Sequence, residues 1–171
     1  MAMQAGWKAL SEVYPQRFVL GLGTSHGHMV TKLHKSTYDK PYSNMVDYLD
    51  TMDSVPYFAV APTGPMYRVL AALGPKMLEL SKNRTSGAHP YFTTPEHTAE
   101  ARAIVGPDKL VAPEQMVIFE TDPDKARETA RKNMSVYTRL PNYANNLIRL
   151  GFTQDEITHQ SDRLVDAIVC W

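Results

Sequence analysis

The sequence predicts a parallel α/β fold, on three observations. Apolar runs at residues 18–22, 67–72, 88–92 and 116–120 lack the polar alternation of half-exposed strands and read as strands buried on both faces. The stretches between them carry apolar residues at helical spacing. Gly74-Pro75, Thr94-Pro95 and Asp122-Pro123 mark the entries into helices, with proline in the first turn, where its missing N–H has no partner to lose. Strands and helices that alternate in this way build a parallel sheet from βαβ units. They leave open whether the sheet is doubly wound or part of a closed barrel.

Residues 2–14 place Trp7, Leu10, Val13 and Tyr14 on a rough helical stripe that Pro15 ends. The first strand runs out through Gly21 and Gly23 into a polar loop with Thr24, Ser25, His26 and His28. Residues 29–42 show no clear period. Ser43 can cap a helix bearing Met45, Val46, Leu49 and Met52, and Pro56, Pro62, Gly64 and Pro65 make a long irregular connection. The second strand turns through Gly74-Pro75 into a helix with Met77, Leu78 and Leu80 that fades by Arg84. Gly87 opens the third strand, Thr94 caps the next helix and Gly106-Pro107 closes it. After the fourth strand a long helix runs from Asp122-Pro123 to about Leu140, and another spans 142–150 until Gly151 stops it. Thr153 with Glu156 fits a capping box, and Ser161 can cap a last helix bearing Leu164, Val165, Ile168 and Val169. Start and stop both fall inside apparent elements, and four strands leave two open edges. A single domain over 1–171, truncated at both ends, is therefore expected.

The bulk numbers exclude several function classes. The chain has 171 residues, 43% hydrophobic and 21% charged, enough for one domain with a core. Formal net charge is zero and no basic stripe interleaves with aromatics, so nucleic acid is not an expected partner. One cysteine, Cys170, rules out an intrachain disulfide framework and a cysteine-based zinc site, and fits a reducing cytoplasm. No apolar run reaches spanning length, so no membrane partner is expected.

Among the motifs, Gly21-Leu-Gly23-Thr-Ser-His26 falls short of a dinucleotide fingerprint. His26 stands where the third glycine belongs, and the next strand ends in Leu73-Gly74 without an acidic residue. The alternative is that Gly21 and Gly23 permit tight packing and a turn. Leu73-Gly74-Pro75-Lys76 is the best anion candidate, because a helix N-terminus offers free N–H groups and Lys76 adds charge. An ordinary strand-to-helix turn explains it equally well. His26, His28 and His34 lack a nearby carboxylate to complete a metal set, and no metal is expected. His89 reads as a satisfied core histidine; His97 and His159 receive no role. No nucleophile elbow and no P-loop are present.

Taken in order, three segments resemble a known family: 17–26, Val69-Leu-Ala-Ala-Leu-Gly-Pro75-Lys-Met-Leu78, and Gly87-Ala-His-Pro-Tyr-Phe92 with Thr94-Pro-Glu-His97. They are similar to the luciferase-like monooxygenase superfamily, in particular its oxidoreductases that use the deazaflavin coenzyme F420. Pro141-Asn-Tyr-Ala-Asn-Asn-Leu147 resembles one subgroup. The resemblance implies a TIM-type (β/α)8 barrel, of which this chain supplies a partial barrel of about four parallel strands, the fourth to seventh. It implies hydride transfer between F420 and an unknown organic substrate, with FMN as the alternative cofactor. A non-catalytic truncated barrel module is a further alternative. It places the cofactor at Thr24 and Ser25 and at the backbone of Leu73, Gly74 and Pro75, with Lys76 beside them. His26 falls near a position where relatives use a glutamate, so it is the expected proton donor or acceptor, a role that an imidazole's near-neutral pKa suits. The intact protein is expected to be a cytoplasmic homodimer with a small-molecule substrate.

Overall fold

A computed structural model describes residues 2–33 and 35–171. In chain order the elements are α1 (Ala2–Val13), β1 (Val19–Leu22), α2 (Gly27–Lys32), α3 (Pro41–Ser54), β2 (Tyr67–Leu70), α4 (Pro75–Arg84), β3 (Gly87–Ala88), α5 (Pro95–Val105), β4 (Leu110–Val111), β5 (Met116–Val117), α6 (Pro123–Tyr137), α7 (Pro141–Arg149), α8 (Gln154–His159), α9 (Asp162–Ile168) and β6 (Val169–Cys170).

β1 to β4 form one parallel sheet in the order β1-β2-β3-β4, and β5 pairs in parallel with β6. The order decides between the two architectures that the sequence left open. A doubly wound sheet reverses its strand order at a switch point. Here every crossover steps to the next strand, and crossovers of one hand then lay their helices on one side of the sheet, as in a barrel. The fold is thus α/β of the TIM-barrel type, present as a partial barrel.

Register shows which face meets the helices. Leu20 and Leu22 stand opposite Arg68 and Leu70, and with Leu80 they pack against Met45, Leu49 and Met52 of α3. Val19, Gly21 and Tyr67 lie on the other face and are exposed there. A second core joins Leu78, Ala88, Ala101 and Val105 between α4 and α5. The third gathers Phe92 with Met134, Leu147, Ile157, Leu164 and Val165 among α6 to α9.

Gly87 holds the middle of the sheet. Its φ of +149° and its approach to β4 both require glycine, because a Cβ there would run into the Leu110 backbone carbonyl. Thr85 braces the same turn: its hydroxyl donates to the Ser81 carbonyl at 2.7 Å and accepts from Gly87 N–H at 3.2 Å.

Several expectations are corrected. Most of the apolar stripe of α1 faces outward: Leu10, Val13 and Tyr14 are exposed, Trp7 packs half-buried against the α3 core, and the buried residues are Gln4 and Ser11. Gln4 Nε2 donates to the Met52 and Val55 carbonyls, so α1 docks by satisfying the open end of α3 together with the Trp7 contact. Residues 27–32, left without a period, form α2. Pro41, two residues before the expected Ser43 cap, is the first residue of α3. The third strand is only Gly87–Ala88, since Pro90 has no N–H for a ladder and Phe92 turns back at φ 55°. Leu110–Val111, which carried no strand expectation, is the sheet's fourth strand, and Met116–Val117 belongs to the separate pair. The long helix breaks at Thr138, and α7 starts at Pro141. The expected helical tail 168–171 contains β6.

The caps at Thr94, Asp122, Thr153 and Ser161 stand as expected, with both halves of the capping box at Thr153 and Glu156 in place. Gly151 ends α7 at φ +90°, with Phe152 N–H reaching back to the Leu147 carbonyl. No helix among the described residues is long and apolar enough to cross a membrane.

Candidate functional site

A cavity of about 690 Å³ opens at the carboxyl ends of β1, β2 and β3. One wall consists of the chain leaving those strands: Gly23, Thr24, Ser25 and His26 after β1, and residues 71–74 after β2. Gly23 allows this, since a Cβ there would crowd Ala71 of the neighbouring strand at 3.2 Å. Gly21 has open space around it, so close packing does not explain it. The facing wall is one side of α7, which presents Asn142, Tyr143, Asn145, Asn146 and Arg149 at helical spacing.

The loop after β1 is held at several points. Ser25 sits in the left-handed region at φ 60°, and its carbonyl accepts the Tyr38 hydroxyl at 3.0 Å. Thr24 Oγ1 lies 3.4 Å from the same hydroxyl. His26 Nδ1–H donates to Asn142 Oδ1 at 3.2 Å, which leaves Nε2 with its lone pair. The His26 ring stacks on His28 at 6.2 Å and tilts against Tyr143 at 5.5 Å.

The turn after β2 is fixed by a residue to which the sequence assigned no role. His97, fully buried in the first turn of α5, donates Nε2–H to the Leu73 carbonyl at 2.7 Å. Its Nδ1 is buried without a partner among the described residues. Burial pushes the His97 pKa down, the Leu73 carbonyl works against this, Arg149 lowers it and Glu100 raises it. Gly74 then serves as N-cap of α4 with no side-chain cap, so the helix N-terminus behind the turn keeps free N–H character.

Tyr91 and Tyr143 line the cavity and pack against Tyr137 and Phe92 of the core. The contacting rings lie 5.1 to 6.1 Å apart between centroids, and Tyr91 OH donates to Tyr137 OH at 2.9 Å. Burial pushes the Tyr143 phenol up to about 12 and raises Tyr91 as well, so both stay protonated donors at neutral pH.

Thr24, Ser25, His26, Leu73 and Gly74 meet at this one cavity, as a common site requires. Pro75 and Lys76 are exposed and lie outside its lining, where Met77 stands instead. The cation beside the cavity is Arg149, which bonds both Glu100 oxygens at 2.6 Å and Asn146 Oδ1 at 2.9 Å. His89, expected in the core, is exposed on the cavity with Nδ1–H on the Ala112 carbonyl at 2.6 Å. Among the described residues no three His, Cys, Asp or Glu side chains come together as a metal set; His34 lies outside them. The α7 wall was missed, although its only cue was in view: the polar residues of 142–149 recur at three and four residues, beside an apolar face carrying Leu147.

No protein-family model and no curated protein matches the sequence. Among solved structures the chain is similar to an F420-dependent secondary alcohol dehydrogenase in complex with an F420-acetone adduct, with a TM-score of 0.61 and 13% sequence identity. The match covers 99% of this chain and 60% of that one, so the chain spans well under two thirds of its length. At this identity the likeness concerns the fold, which is the fold that the luciferase-like resemblance implies.

Proposed function

We propose that this chain carries the cofactor side of an F420-dependent oxidoreductase of luciferase-like fold, acting on a small organic substrate. The observation that supports it most is a cavity with aromatic walls and an uncapped helix N-terminus at the carboxyl ends of parallel strands, where barrel enzymes keep their sites. The fold likeness to an F420-dependent enzyme points the same way. The residues present fit such a group: Tyr91, Tyr143 and His26 offer faces to a flat ring, and the Gly74 end of α4 suits an anionic tail. Lys76, exposed between the lining residues Gly74 and Met77, adds charge to that helix end, and Pro75 sets its first turn. When bound, the deazaflavin supplies the hydride chemistry; the protein supplies orientation and electrostatics.

In this reading Thr24 and Ser25 offer hydroxyls to the ligand beside β1. His26, oriented through Nδ1 by Asn142, holds or releases a proton at Nε2. Over 1–171 the chain would supply the barrel's strand–helix units expected as the fourth to seventh strands, at β1, β2, β3 and β5, with β4 and β6 as two strands more. Val19 and Tyr67 are exposed on the face of the sheet away from the helices, the face that a closed barrel fills with side chains; a homodimer of the intact protein is part of the proposal.

Titrating the full chain with F420 and with FMN, and following fluorescence and absorbance, tests the cofactor. Quenching with F420 at micromolar concentration is the expected result. Binding of FMN, with oxygen uptake by its reduced form and return of the oxidised flavin's absorbance, would favour a flavin monooxygenase instead, and binding of neither would favour a non-catalytic module.

A further inference from the structure

On the inner side of α7, Asn142 Oδ1 takes the His26 proton, and Asn146 Oδ1 takes an Arg149 N–H. Asn142 Nδ2 and the Asn145 amide belong to exposed residues that water reaches. Two further donors belong to residues that are mostly buried. Asn146 is 5% exposed, and its Nδ2 has no acceptor among the described residues. Tyr143 is 8% exposed, and its hydroxyl makes no hydrogen bond among them. Both residues line the cavity, three positions apart on one helix, so their side chains are neighbours. The buried Asn146 Nδ2 without an acceptor costs stability, and a ligand atom that accepts from it and from the neighbouring Tyr143 hydroxyl would complete both.

The charges nearby say what kind of acceptor. Arg149 is balanced by Glu100 at 2.6 Å, and the Glu114 carboxylate acts on Tyr143 from the other side. With no net positive charge on this wall, an uncharged acceptor is favoured over an anion.

We propose that Tyr143 and Asn146 form a donor pair that binds a neutral carbonyl oxygen of the ligand. This rests on the cavity being the ligand site. The oxygen belongs either to the ring of the cofactor or to the carbonyl form of the substrate. The burial that keeps the Tyr143 phenol protonated keeps it a donor across the physiological range.

The test uses Tyr143→Phe and Asn146→Asp in the full chain; the second keeps the oxygen for Arg149 and replaces the free donor by an acceptor. Two probes are titrated separately: F420, by fluorescence, and cyclohexanone, by the shifts of the Asn146 side-chain amide protons in the wild type and of cavity-lining amides in all three proteins. Tyr143→Phe is expected to keep or raise the Tm of the free protein, Asn146→Asp to lower it only by what burying a carboxylate beside Arg149 costs, and each to bind at least one probe about tenfold more weakly. A loss confined to F420 assigns the oxygen to the cofactor, and a loss confined to the ketone assigns it to the substrate; both support the pair. Unchanged affinities, a lowered Tm with affinities kept, or a wild type that binds neither probe would overturn it. If F420 fails to bind while the ketone effect holds, the cofactor reading falls and the donor pair stands. If F420 binds and neither variant weakens either probe, the reverse is true.

Discussion

The two walls of the cavity are built differently. On the sheet side, residues 23–26 and 71–74 present mostly backbone and small side chains, held from behind by Tyr38 on the Ser25 carbonyl and His97 on the Leu73 carbonyl. On the α7 side, the contact is made by side chains that fasten one another: Asn142 to His26, Asn146 to Arg149, Arg149 to Glu100. The first wall is placed by the sheet and is hard to alter without disturbing the fold. The second can change its chemistry one residue at a time. A scaffold that fixes the cofactor and varies the substrate would use the two walls in this way.

The comparison breaks first if the sheet wall is not tied to the fold. Gly87→Ala forces a Cβ against the Leu110 carbonyl at a φ that other residues avoid, and is expected to cost about 3 kcal/mol or more in urea unfolding. A near-wild-type midpoint would mean that β3 and β4 can separate without consequence.

His97→Phe comes next. It leaves the half-buried Leu73 carbonyl without its donor, for an expected loss of about 1 kcal/mol. It also changes the acid limb. The folded pKa of His97 lies below its ordinary 6.5, so between the two the unfolded chain binds more protons. Stability from this group is thus complete above about pH 6.5 and declines as pH falls toward the folded value. The Phe variant should lack that part of the decline, and parallel pH profiles for the two proteins would remove His97 from the account.

Changes on the α7 wall should be milder for the fold. Arg149→Met breaks the pair with Glu100, but both side chains are about one third exposed, so the expected cost is no more than about 1 kcal/mol. Its larger effect should fall on ligand affinity. Smallest of all, Ser25→Gly relieves a left-handed residue and should raise stability by about 0.5 kcal/mol in the same unfolding assay. A loss instead would mean that the serine hydroxyl contributes more to the loop than its backbone costs.

Legibility in the sequence followed the same division. The sheet wall could be found because strand ends and Gly-Pro helix starts are local signals: Thr24, Ser25, His26, Leu73 and Gly74 were all expected at a site and all line the cavity. Arg149 and Tyr143 had only the helical spacing of 142–149 as a cue, which marks a face but not what it meets. They reach the cavity only because α7 folds back over the strand ends, 116 residues after His26 in the case of Asn142, and no local pattern encodes that return. The α1 stripe misled for a related reason. Apolar spacing says that a face is suited to burial, whereas Gln4 docked the helix through the open carbonyls of α3 together with the Trp7 contact.

By itself, the sequence determined the class of fold, the helix starts at Pro75, Pro95 and Pro123, the caps at Thr94, Asp122, Thr153 and Ser161, and residues along one wall of the cavity. These rest on dihedral limits and hydrogen bonds between residues a few positions apart. Only the tertiary structure decided the strand order, the membership of Leu110–Val111 in the sheet, the role of His97 and the donors that α7 turns inward. Each of those depends on contacts between distant segments, whose closure is set by how the whole core packs rather than by any neighbouring residue.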